Sequence, residues 1–221
     1  TQVDMHSFDI ARFYPEQKEK EFVKTRAFEN SQTIYTPAVH PREPYISSRE
    51  KYVSPFYERE KELGGFFDNE VACWERALAY KSNEQKLDKY LKEVPIREDE
   101  WDHRHVPYEI ANAEHLAMSD SVGMINLSHF PIMDIKGPDA ERMLEYLSVA
   151  KVGSNTPEGK VIYTNFLDED GGVHADLTIS RLGSDSYRIV TGGADGNRDW
   201  VLLRNYRDDN GLNADINIRT H

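Results

Sequence analysis

The stretch 161–181 constrains the fold of this chain more than any other. Two runs of alternating apolar and polar residues, VIYTNFL and VHADLTISR, flank the acidic, glycine-ended turn DEDGG. Alternation with a period of two is typical of β-strands, and a five-residue connection favours an antiparallel hairpin. In the second run Asp176 falls on the polar face of the strand, and alternation alone predicts that it is exposed to solvent. The opposite face is apolar and consists of Val173, Ala175, Leu177 and Ile179.

The hairpin belongs to a longer segment whose pattern predicts a compact unit. The predicted order is β-β-α-β-β-β-α-β, which indicates an α+β domain with a largely antiparallel sheet and packed helices. Besides the hairpin, strands are predicted at 122–127, 132–135, 187–191 and 214–218. Helices are predicted at 108–118, 140–147 and 197–206. The compact unit is expected to occupy residues 101–221.

Residues 1–100 are irregular, charged and contain six prolines. Residues 15–30 are predicted to form a helix with Phe22 and Phe28 on its apolar side. Ser54, followed by proline, is expected to begin a second helix, because a serine at that position caps free backbone N–H groups. At the other end, the chain stops at ADINIRTH, within a predicted strand, so we expect it to be a fragment of a longer protein.

Composition excludes several classes of function. The chain has 39 acidic and 27 basic residues and a formal net charge of −12, so nucleic acid is an unfavourable partner. No apolar run approaches the roughly 20 residues that span a bilayer, and no signal-peptide layout is present. We therefore expect no membrane partner and a cytoplasmic location, or the mitochondrial matrix in a eukaryote. Cys73 is the only cysteine and is expected to be a buried apolar residue.

Several candidate motifs lead to no site. The glycines of GADGNRD do not form a dinucleotide-binding or phosphate-binding loop. The acidic residues of the hairpin turn lack the spaced ligands of a calcium loop. His103 and His105 stand two residues apart, and no further His or Cys is placed to complete a metal site. We therefore predict no metal.

Three segments taken together resemble the folate-binding domain of the glycine-cleavage T-protein (aminomethyltransferase) superfamily. They are MDIKGPDAERMLEYL, GKVIYTNFLDEDGGVHADLTISRL and SYRIVTGG. Upstream, DIARFYP, SSREKYVSPFYEREKELGGFF and CWERALAY resemble the connector of dimethylglycine and sarcosine dehydrogenases. In those enzymes an FAD-dependent amine-oxidising domain precedes the folate domain. The resemblance implies that residues 1–100 are a connector from a flavin domain and that residues 101–221 begin a T-protein-like domain.

The resemblance also assigns roles to particular residues. It implies a catalytic Asp176 beside the reacting nitrogens of tetrahydrofolate, with Tyr163 lining the same pocket. It implies that the end of the strand at Val190, Thr191 and Gly192 meets the pterin. The implied substrates are tetrahydrofolate and a small N-methylated amine or its iminium, and the product is 5,10-methylenetetrahydrofolate. FAD is expected only in the upstream domain.

The chain departs from the family pattern in ways that leave alternatives open. T-proteins usually have two acids where this chain has Ala175-Asp176, and Ser180 replaces a pocket tyrosine of some T-proteins. The later part of the domain is absent, so we expect a partner chain or a further domain to complete the site. Two alternatives remain: a flavin-independent, folate-dependent demethylase, and a non-catalytic scaffold subunit.

Overall fold

The computed structural model describes residues 10–34, 45–67, 69–90, 92 and 108–219. The chain divides into two compact units, one comprising Pro15–His129 and the other joining Thr1–Tyr14 to Phe130–His221. The predicted division at residue 100 lies outside the described residues and stays a prediction, and so do His103 and His105. None of the helices in the described ranges is long and apolar enough to cross a membrane.

The unit 15–129 consists of short helices around one small hairpin. Its helices are α1 (Lys20–Thr33), α2 (Tyr57–Glu62), α3 (Leu87–Tyr90) and α4 (Tyr108–Asp120), and its paired strands are β1 (Asn69–Val71) and β2 (Trp74–Arg76). The helix α2 begins at Tyr57, three residues after the predicted start at Ser54, and the Oγ of Ser54 accepts a hydrogen bond from the backbone N–H of Phe56 at 3.1 Å. Trp74 is buried and stacks on Tyr52, with 5.3 Å between the ring centroids.

A buried carboxylate on β2 binds one of two segments of this unit that contain positive φ angles. Ser48, Glu50, Ala72 and Cys73 all have positive φ angles, between 50° and 71°. Glu75 is buried and accepts hydrogen bonds from the side chain of Arg49 and from the backbone N–H of Glu50, each at 2.8 Å. Burial raises the pKa of the Cys73 thiol to about 12, so the thiol is protonated at neutral pH and is a poor nucleophile.

The second unit is built on a five-stranded antiparallel sheet with the order β4-β5-β6-β3-β7. Its strands are β3 (Ile132–Lys136), β4 (Val161–Leu167), β5 (Val173–Gly183), β6 (Ser186–Thr191) and β7 (Asp215–Ile218). Helices α5 (Ala140–Leu147) and α6 (Gly196–Asp209) follow β3 and β6. The predicted α+β architecture with a largely antiparallel sheet is confirmed.

One face of this sheet forms the core with α5 and α6. The side chains that meet there are buried, and they include Ala175, Leu177 and Ile179 of the predicted apolar face of β5, whereas Val173 at the start of that strand is 62% exposed. The largest are Met133, Ile135, Met143, Leu144, Phe166, Ile179, Tyr187, Ile189 and Leu203. Successive side chains of a strand point to opposite faces of the sheet. The residues that alternate with these core residues therefore point to the face opposite α5 and α6.

Two predictions from the sequence are wrong. Residues 122–127 form no strand: Val122 and Met124 are 95% and 99% exposed. The strand β3 is paired with β6 on one edge and with β7 on the other, so residues 122–127 cannot pair with it as a further strand. Phe28 is exposed although Phe22 is buried, because six residues at 3.6 per turn place it on another side of α1.

Gly137, in the turn between β3 and α5, occupies a position that no other residue fits. Its φ is +138°, and an added Cβ would lie 2.5 Å from the backbone oxygen of Asn213. We expect Gly137→Ala to destabilise this unit by more than about 1 kcal/mol, because it adds a steric clash to backbone strain. Hydrogen exchange of the β3 and β7 amides measures the effect. Gly159→Ala is the control, since φ is +81° there and nothing lies within 4 Å. Equal protection in both variants would contradict the clash.

Candidate functional site

The face of the sheet opposite α5 and α6 carries a patch of mainly polar side chains. Directly paired residues of an antiparallel sheet project to the same side, so the register defines its members. Asn165 pairs with Asp176, and Tyr163 with Thr178. We call this patch the polar face and define it by the residues that the register places on it: Ile132, Asp134, Val161, Tyr163, Asn165, Asp176, Thr178, Ser180, Arg188, Val190 and Asn217.

Tyr163 and Asp176 interact directly on the polar face. They are diagonal neighbours across β4 and β5, and the phenol of Tyr163 donates a hydrogen bond to Oδ2 of Asp176 at 2.6 Å. Tyr163 is 67% exposed and Asp176 is also exposed, so both remain accessible to a ligand. The bond to the carboxylate raises the pKa of Tyr163, which therefore stays protonated and remains a donor at neutral pH. Among the described residues, the second carboxylate oxygen, Oδ1, accepts no hydrogen bond.

The other predicted site residues do not all share this face. Val190 pairs with Thr178 and lies on the polar face. Thr191 points to the core side, where it is buried and hydrogen-bonded to the buried carboxylate of Asp199. Gly192 follows the end of β6. The structure therefore brings Tyr163, Asp176 and Val190 together on one face. Thr191 instead anchors the end of β6 on the core face, through its hydrogen bond to Asp199.

Sequence reasoning missed a second charged group on the same face. Asp134 of β3 is only 4% exposed and is bound by two arginines. Nε of Arg188 lies 2.8 Å from its Oδ1, and Nε of Arg219 contacts its Oδ2. The Arg188 guanidinium, helped by that of Arg219, holds the pKa of Asp134 below its usual range. The sequence contains one signal of this pair, since Asp134 and Arg188 each stand at an alternating position of a predicted strand. That these two residues face each other follows only from the pairing of β3 with β6.

The polar face provides a limited set of chemical functions. Asp176 can accept a proton or stabilise a cation, and Tyr163 can donate a hydrogen bond. Asn165 offers both a donor and an acceptor beside the carboxylate. The face carries short side chains at Thr178 and Val190, which leave room for a flat ligand with polar edges. Within the described ranges, no three His, Cys, Asp or Glu side chains are grouped to hold a metal ion.

Comparison with known proteins identifies two family models along the chain. Residues 56–220 match the GCVT N-terminal domain, and residues 1–54 match the FAD dependent oxidoreductase central domain. A similar solved structure is that of glycine cleavage system aminomethyltransferase T from Bartonella henselae, with a TM-score of 0.55 and 19% identity. The matched region comprises 76% of this chain and 38% of the Bartonella henselae chain. At this identity the match shows a shared fold.

Three curated relatives are similar in sequence. An aminomethyltransferase of Cupriavidus taiwanensis is 34% identical over 51% of this chain and 30% of its own length. A formaldehyde-forming 4-methylaminobutanoate oxidase of Paenarthrobacter nicotinovorans is 29% identical over 85% of this chain and 21% of its own length. The mitochondrial sarcosine dehydrogenase of Mus musculus is 26% identical over 93% of this chain and 25% of its own length. The chain thus spans less than a third of these relatives.

Proposed function

Because the chain belongs to the GCVT N-terminal domain family, we propose that it is part of an enzyme that transfers one-carbon units to tetrahydrofolate. The observation that carries the proposal is the order of the two family matches, since a FAD dependent oxidoreductase segment directly precedes the GCVT segment. In the proposed enzyme that order joins a flavin-dependent oxidation to one-carbon transfer in one protein. It also argues against the flavin-independent demethylase, for which an oxidoreductase segment has no use.

We propose N-methylated amines as the source of the one-carbon unit. The two relatives that align with most of this chain are a sarcosine dehydrogenase and a 4-methylaminobutanoate oxidase, and the substrates in both names are N-methylated amino acids. FAD is proposed to bind outside this chain. Residues 1–54 contain no glycine, and a glycine-rich loop is what allows a backbone to approach the phosphates of a dinucleotide.

The polar face fits tetrahydrofolate as one wall of a site. Tetrahydrofolate supplies the amine nitrogens that take up the one-carbon unit. In the proposed role Asp176 accepts a hydrogen bond from such a nitrogen, takes up its proton and stabilises nearby positive charge. Tyr163 holds the carboxylate of Asp176 in place through its 2.6 Å hydrogen bond. Val190 and Gly192 are small enough to let the ring approach the end of β6 closely. A reduced folate soaked into crystals of the natural protein should lie against Asp176.

Tyr163→Phe tests the positioning role of the phenol. We expect methylenetetrahydrofolate formation to fall about tenfold, because a charge-assisted hydrogen bond to the reacting carboxylate is lost. Amine oxidation at the flavin should be unchanged. Both rates are measured in the natural protein with the same amine. Tyr146→Phe is the control, since Tyr146 is also exposed but lies on α5, on the other side of the sheet. If the two variants transfer the one-carbon unit equally well, Tyr163 has no such role.

A further inference from the structure

The two arginines bound to Asp134 carry more charge and more donors than Asp134 can satisfy. Two guanidinium groups against one carboxylate leave a net positive charge, although the chain as a whole carries −12. Each guanidinium has five N–H donors. Arg188 uses Nε and Nη2 toward Asp134, and Arg219 uses Nε. Within the described part of the chain, their other N–H groups have no acceptor. This end of the polar face is therefore suited to an anion.

Arg188 lies at a defined distance from Asp176 along the same face. Arg188 pairs with Ser180, which is four residues beyond Asp176 on β5. At roughly 3.4 Å per residue, the two ends are separated by about 14 Å along the strand. The cross-strand row between them contains Thr178 and Val190, which have short side chains, with Tyr163 and Ile132 on either side. A shallow floor thus runs from a carboxylate at one end to a pair of guanidinium groups at the other.

A folate has the complementary layout. Its pterin amines lie at one end, a flat aminobenzoyl ring follows, and the glutamyl carboxylates lie at the far end. We propose that Arg188 and Arg219 bind the glutamyl carboxylate of a folate whose pterin lies beside Asp176. This inference rests on the proposed function and extends it to the tail of the ligand. An arginine fork matches a carboxylate with two parallel hydrogen bonds, and Asp134 holds the guanidinium of Arg188 in position for such contacts.

The test compares two ligands that differ only in the glutamyl group. Affinities of the natural protein for tetrahydrofolate and tetrahydropteroate, which lacks glutamate, are measured by calorimetry. We expect tetrahydrofolate to bind about tenfold more tightly, the effect of one charge-assisted contact. Arg188→Gln should remove this preference by weakening tetrahydrofolate binding and leaving tetrahydropteroate unchanged. Arg188→Lys, which keeps the charge without the fork, should retain part of the preference. Arg142→Gln is the matched control, because it removes the same charge from an exposed position on α5.

Each outcome bears on a different claim. If the wild-type protein binds neither ligand, the proposed function fails and this inference fails with it. If the wild-type protein binds both ligands equally, or if Arg188→Gln weakens both equally, the tail site is wrong and the proposed function stands. If Arg188→Gln instead raises the KM for the amine and leaves the folate preference intact, the carboxylate belongs to the amine substrate, which overturns the glutamyl assignment.

Discussion

Asp176→Ala in the proposed enzyme is expected to separate amine oxidation from one-carbon transfer. Formation of methylenetetrahydrofolate should fall about a hundredfold or more, the usual effect of removing a group that moves a proton in the reaction. Amine oxidation should continue at its normal rate. The oxidised amine then reacts with water, and formaldehyde is released together with the demethylated amine.

The measurement is the partition of product between formaldehyde and methylenetetrahydrofolate at a fixed amount of amine oxidised. Asp176 is exposed at the surface of β5, so its truncation leaves no cavity and folding should be preserved. Asp170→Ala is the matched control, because it removes one carboxylate from the exposed tip of the same hairpin. An unchanged partition in the Asp176 variant would mean that another group serves the folate amine.

Leu203→Ala is expected to destabilise the second unit by about 2–5 kcal/mol, the range for a buried leucine truncated to alanine. Leu203 lies on α6, is inaccessible to solvent and packs in the core between the helix and the sheet. The truncation leaves a cavity in the core on the side of the sheet opposite the polar face. Hydrogen exchange of the β5 and β6 amides reports the stability of this unit separately from the rest of the protein.

Leu182→Ala provides the comparison for this prediction. Leu182 is on β5 and is exposed, so the same chemical change should alter the free energy of unfolding by less than about 0.5 kcal/mol. Equal loss of protection in the two variants would show that α6 does not stabilise the sheet through Leu203.

Much of the second unit was predictable because its signals are local. The alternation of β4 and β5, the loop between them and the apolar stripe of α5 all depend on residues close together in sequence. The strand predicted at 122–127 was wrong because alternation cannot tell whether a neighbouring strand is available. Phe28 was misplaced because a helix buries only the side that meets a partner.

The candidate site was predictable only in part for a related reason. The positions of Tyr163 and Asp176 came from the resemblance of their segments, and the hairpin register then explains why the two side chains meet. Thr191 was assigned to the pterin side. Because side chains alternate along β6, Thr191 instead points to the core face, where it is hydrogen-bonded to Asp199. Asp134 and Arg188 meet only because β3 pairs with a strand far along the chain, and no local pattern reports such a pairing.

The position of β3 inside the sheet has a consequence for biosynthesis. A ribosome releases β3 before either of its neighbours, which begin at Ser186 and Asp215, has been made. During that interval Met133 and Ile135, which the finished sheet buries, face water in the nascent polypeptide. The speed of translation therefore sets how long an aggregation-prone intermediate persists, and chaperones have their main opportunity to act within this period.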